Sequence, residues 1–99
     1  MLKFEHNPSG SGTSLQGFVV ASYDQLVEVF GDPTYSETSG DDKVDFEWIL
    51  KFSDGTDATI YNWKDYDGGL TARSNPEYEW HIGGHNAIAV SNVLERLGI

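Results

Sequence analysis

The sequence predicts an α+β fold: an antiparallel sheet of three to five strands with two helices packed on one face, in the order β-α-β-β-β-α. Three observations carry this expectation. Two runs of alternating apolar residues flank Ser53-Asp54-Gly55 within residues 44–64, the signature of a β-hairpin. Ser22 and Gln25 form an S-x-x-Q capping box ahead of Tyr23, Leu26, Val27 and Phe30, which share one helical face. The segment 85–97 carries Ala87, Val90, Val93, Leu94 and Leu97 as a second helical stripe, closed by Gly98.

The hairpin fixes the sheet. A three-residue loop with Gly55 left-handed pairs Phe52 with Thr56, Leu50 with Ala58 and Trp48 with Ile60, so Phe46, Trp48, Leu50, Phe52, Ala58 and Ile60 share an apolar face. On the other face Lys51 meets Asp57, Ile49 meets Thr59, Glu47 meets Tyr61 and Asp45 meets Trp63. The competing two-residue Asp-Gly loop would set Asp57 and Thr59 opposite Phe52 and Leu50 on the face to be buried, so the three-residue loop is preferred.

The remaining elements follow in chain order. Residues 2–5 read as a short strand cut off by Asn7-Pro8 and a Ser/Gly run. LQGFVVA (15–21) is uncharged and β-rich, with Gly17 marking a bulge or a close backbone approach. Gly31 is expected to end the first helix in the left-handed conformation, and Pro33 prevents its resumption. Residues 35–43 read as a mobile acidic loop and 65–77 as a long functional loop. Tyr78, Trp80 and Ile82 alternate with Glu79 and His81 as a further strand, which Gly83-Gly84 is expected to break before the last helix.

Length and composition bound the function. Ninety-nine residues make one domain spanning 1–99, with residues 1–13 expected to be flexible at least in part. A formal charge of −10 disfavours direct binding to nucleic acid or an anionic membrane and favours cationic partners. The absence of cysteine excludes disulfides and thiolate chemistry and is compatible with a reducing cytoplasm. Neither a signal-peptide core nor a membrane-spanning apolar run is present, so a cytoplasmic location is expected.

In combination, the stretches GTSLQGFVVASYDQLVEVFGDPTY, EWILKFSDGTDATIYNWK and EWHIGGHN, within residues 12–88, resemble a family of small proteins encoded by tailed bacteriophages and related mobile elements. That resemblance implies a phage-type accessory protein acting in a bacterial host and supplies no catalytic residues. The helix-Phe-Gly-x-Pro-strand pattern is similar to half of a β-lactamase inhibitory protein and to the small outer-membrane assembly lipoprotein, both of which act through protein contacts. This is an analogy at the level of fold.

No catalytic constellation stands out. His81 and His85 are four apart, but Gly83-Gly84 between them breaks the helix that would make this a metal-ligand spacing, and Asp41-Asp42-Lys43-Val44-Asp45 lacks the Gly and terminal Glu of a calcium loop. No metal or cofactor is expected. The outer face of the hairpin carries Asp45, Glu47, Tyr61 and Trp63, joined by Glu79 and His81 if the third strand adds to the same sheet. Aromatic anchors in an acidic field suit a partner with a basic surface. The expectation is a non-enzymatic protein that binds and inhibits or modulates a host protein through this face. Mimicry of a short nucleic-acid stretch is feasible, because a domain ~34 Å across has half the ~20 charges of duplex DNA over that length. Four other readings stay open, the first being a plain solvated sheet surface partly covered by residues 65–77. Tyr61, Trp63 and His81 could stack a nucleotide-like ligand while Gly83 and Gly84 offer amides to an anion under a 65–77 lid. A second copy could pair with the face as a homodimer. An enzyme would need His81 beside a carboxylate in a closed cleft.

Overall fold

Hairpin register decides the architecture, because it determines which rings are buried. In a computed structural model describing residues 2–10 and 12–99, Trp48 lies opposite Ile60, Leu50 opposite Ala58 and Glu47 opposite Tyr61. Gly55 has φ 88°, and the Phe52 and Gly55 amides close the three-residue turn on Thr56 and Phe52 carbonyls. The predicted register is the observed one. The hairpin strands Glu47–Phe52 (β3) and Asp57–Tyr61 (β4) join Phe4–His6 (β1), Ser14–Ala21 (β2) and Tyr78–Gly84 (β5) in one antiparallel sheet of order β1-β3-β4-β5-β2.

Helices Tyr23–Phe30 (α1), Leu70–Ser74 (α2) and Ile88–Leu97 (α3) pack on one face, over a core centred on Trp48 and Trp80. The α+β expectation holds, with three helices where two were expected. The Ser22–Gln25 capping box opens α1 as predicted. The α1 cap at Gly31 has φ 82° and ψ −172°, outside the left-handed helical region but still backbone space that is essentially glycine-only. The two buried indoles hold both ends of α1: Trp80 Nε1 donates to the Ala21 carbonyl and Trp48 Nε1 to that of Gly31, each at 2.9 Å, while the rings meet edge to face at 5.4 Å. Each polar ring edge is thereby satisfied inside the core.

Four loop and boundary expectations change. Gly83 and Gly84 do not break β5; they are its last residues, paired with β2 on one side and β4 on the other. Glycine is required there because a Cβ on Gly84 would collide with the Ala89 methyl of α3. The last helix accordingly starts three residues later than expected, at Ile88, and Ala89 rather than Ala87 faces inward. The 35–43 segment is tied down by reciprocal Tyr35–Glu47 backbone hydrogen bonds and by Ser39 to Val44. Residues 65–77 contain α2 and pack on the helical side, with Ala72 in the core, Gly69 against the Phe46 ring and Arg73 over the Tyr23 ring. They form no lid on the outer face.

Candidate interaction face

The outer face is built by strand alternation. Glu47 and Ile49 of β3, Thr59 and Tyr61 of β4, Glu79 and His81 of β5, and Phe18 and Val20 of β2 all point away from the helices, as the pairs Glu47–Tyr61, Tyr61–His81, His81–Phe18 and Glu79–Val20 require. Across it runs an aromatic ridge: Phe18 meets the His81 ring edge to face at 4.9 Å, His81 lies 5.4 Å from Tyr61 and 6.2 Å from Trp63, and Tyr61 lies 6.0 Å from Trp63. Phe18 is 47% exposed and Trp63 37%. Tyr61 and His81 are half-buried between them.

Carboxylates flank the ridge. Glu47 sits beside Tyr61, and its carboxyl pKa is raised by burial. Burial, reinforced by the Glu47 charge, raises the Tyr61 phenol pKa. Burial lowers the His81 pKa against the opposing pull of Glu79 and Asp65, which favours a neutral ring. Beyond Trp63 the face opens into a groove of about 430 Å³ whose lining includes Tyr35, Glu37, Asp41, Glu47 and Trp63. The ammonium groups of Lys43 and Lys64 stand 5.9 and 5.6 Å from the Trp63 ring centroid.

Trp63 lies just past the end of β4, and a buried polar network fixes it there. The Asn62 carboxamide oxygen accepts the backbone N–H groups of Asp45 (2.8 Å) and Phe46 (2.9 Å), while its amide donates to Asp45 (2.8 Å) and Asp65 (3.2 Å). Thr38 donates to Asp45 at 2.7 Å. Tyr78 donates to Asp65 at 2.6 Å and accepts the Trp63 N–H at 3.4 Å. Burial and the Asp65 hydrogen bond push the Tyr78 phenol strongly upward.

This network corrects one predicted contact residue. Asp45 is 2% exposed and sits beneath the face rather than on it, because Asn62 takes the Asp45 and Phe46 amides out of the β ladder and turns the Asp45 carboxylate inward. The cross-strand pair Asp45–Trp63 therefore does not form, and β3 begins at Glu47. Glu47, Tyr61, Trp63, Glu79 and His81 do come together. Gly83 and Gly84 are buried between two strands and offer no cradle to an anion. His85 is directed to Asp57 at 3.2 Å and His6 to Thr34 and the Phe30 carbonyl, so the three histidines sit in separate environments. Among the described residues no group of three metal-ligating side chains assembles. Phe18 was absent from the predicted face. Its signal was the uncharged alternation Phe18/Val20 against Val19/Ala21, which leaves apolar groups outside whichever side is buried.

The arrangement defines a single-sheet α+β domain with one face under helices and the other divided, buried at Ile49 and Thr59, where Gly10 and Thr13 approach, and exposed along an aromatic ridge with acidic margins. No protein-family model, curated protein or solved structure matches the chain. Among the described residues no helix is long and apolar enough to cross a membrane.

Proposed function

We propose that this chain is a small binding protein that engages a partner protein with a basic surface through the outer face of its sheet. Phe18, His81, Tyr61 and Trp63 supply the apolar anchors, and Glu47, Glu79 and the groove carboxylates Glu37 and Asp41 supply the charge. The observation that carries the reading is the continuous aromatic ridge, set on β2, β4 and β5 and, at Trp63, on the Asn62 network, and left uncovered by the 65–77 segment. Preordered rings lose little conformational entropy on binding, and a charge of −10 draws cationic surfaces toward them. The groove beside Trp63 suits a lysine or arginine side chain of the partner, which would meet the Glu37, Asp41 and Glu47 carboxylates and the Tyr35 ring while sharing Trp63 with Lys43 and Lys64. On the sequence resemblance to tailed-phage proteins, the partner proposed is a bacterial host protein whose activity would be inhibited or modulated.

Affinity capture from bacterial lysate at low and high salt tests this. The expected result is a stoichiometric protein recovered at low salt, weakened by salt and lost with a Tyr61→Ala/Trp63→Ala double variant. Absence of a stoichiometric partner at low salt, or a partner equally retained by that variant, would overturn the reading.

A further inference from the structure

The two edges of the sheet are built differently. The β1 edge has three residues, with Lys3 before it, Glu5 within it and Pro8 soon after, features that discourage strand pairing. The β2 edge has eight residues, and no Asp, Glu, Lys or Arg occurs anywhere from residue 7 to residue 23 of a chain whose net charge is −10. Among the described residues its one strand partner is β5, so its other side presents backbone groups that no described strand pairs. A bulge shifts the register between Leu15 and Gly17, but Gly17 to Ala21 run in regular register, and Val20 is 53% exposed next to Phe18.

We infer that β2 is a self-association edge, pairing antiparallel with β2 of a second copy to make one ten-stranded sheet. Closed symmetry selects this geometry. A two-fold axis that relates antiparallel strands lies normal to the sheet, so the outer faces of both copies end up on one side. Centred on Val19, the pairing sets Phe18 of each copy against Val20 of the other, an aromatic–β-branched pair on each side of the axis. The occupant is a second copy because the strip carries no charge of either sign. Within the strip a basic partner would find no carboxylate, the nearest being Glu79 one strand inward beside Val20, whereas two acidic bodies repel least along an uncharged line. An eight-residue strand is ~27 Å long, and edge contact of that length falls at or below the ~1,200 Å² end of stable interfaces, so association is a concentration-dependent equilibrium. Dimerisation would place two aromatic ridges side by side and give a repetitive partner two attachment points.

Light scattering or sedimentation of the intact chain over a concentration series, at low and high sodium chloride, reads this directly. The expected mass rises from one chain toward two with concentration, and further at high salt, where the acidic bodies repel less. Val20→Lys, with an unchanged melting curve, should stay at the mass of one chain throughout. A native chain that remains single at every concentration in high salt, a Val20→Lys variant that associates as strongly, or growth beyond two copies each overturns the inference. A monomeric native chain whose captured partner is lost by Val20→Lys would instead assign the edge to that partner. Self-association shares Phe18 with the partner-binding role but is read apart from it: Tyr61→Ala/Trp63→Ala should leave the mass unchanged while abolishing capture, and salt should act on the two associations in opposite directions.

Discussion

The inner and outer faces of the sheet use the same side chains for opposite ends. Trp48 and Trp80 are fully buried, packed edge to face, with both indole N–H groups given to carbonyls flanking α1. Trp63, Tyr61 and His81 pack against one another at 5.4–6.2 Å, yet the helices leave them half in water between carboxylates and ammonium groups. A ring that completes a core contributes stability, and a ring held at the surface by neighbours contributes a preordered contact. Within each strand the side of the sheet is set by alternation, which puts Trp48 and Trp80 inside and Tyr61 and His81 outside, while Trp63, just past β4, is held on the outer side by the Asn62 network.

Substitutions on the two faces should therefore separate stability from binding. The largest effect is expected for Trp48→Ala, which empties the centre of the core and leaves the Gly31 carbonyl without its donor. A loss of about 3–5 kcal/mol in denaturant unfolding is a large share of the ~5–15 kcal/mol typical of a domain. Asn62→Ala comes next, because it leaves two buried backbone N–H groups unpaired and removes one of the two donors to the buried Asp45 carboxylate, Thr38 being the other. A loss of about 2–4 kcal/mol is expected, together with weaker capture because Trp63 is no longer positioned; a loss below ~0.5 kcal/mol would show that the network does not hold the turn.

The pH dependence separates the faces more finely. Tyr78 is held protonated by burial and by Asp65, so its folded pKa lies above the unfolded value near 10. The unfolded chain releases that proton first, and stability should fall as pH rises above about 10; Tyr78→Phe should flatten that limb at a cost of about 1 kcal/mol at neutral pH. His81 on the outer face has the opposite sign. Its folded pKa is lowered by burial, so the unfolded chain binds the proton first, and stability present above about 6.5 should decline on acidification below it. His81→Phe should remove that slope in melting curves between pH 7 and 5. The smallest effect on stability is expected for Glu79→Lys, an exposed change within about 0.5 kcal/mol that should nonetheless weaken capture and make the residual binding less sensitive to salt.

The sequence made the hairpin legible because a glycine turn and two-residue alternation are local signals, and they were enough to place Tyr61, Trp63 and Glu47 on one face. What it concealed depends on contacts between distant residues. Asn62 and Asp45 are seventeen positions apart, and their hydrogen bonds override the alternation that would have pointed Asp45 outward. Gly83-Gly84 reads as a break by propensity, yet close packing against Ala89 makes glycine the residue that continues the strand. Phe18 joined the ridge only once β2 was known to lie beside β5, a long-range pairing that turn chemistry does not encode. The 65–77 segment reads as a lid because its turn residues mask the buried Gly69 and Ala72 that hold it to the helical side.

The three tryptophans allow the central claim to be read at the atoms concerned, since Trp48 and Trp80 belong to the core and Trp63 to the face. Fluorine NMR of the 5-fluorotryptophan-labelled chain, titrated with the captured partner, gives one resonance for each. The account predicts that the Trp63 resonance shifts or broadens with saturation at one partner per chain while those of Trp48 and Trp80 stay in place. A saturable complex that leaves Trp63 unmoved would contradict it.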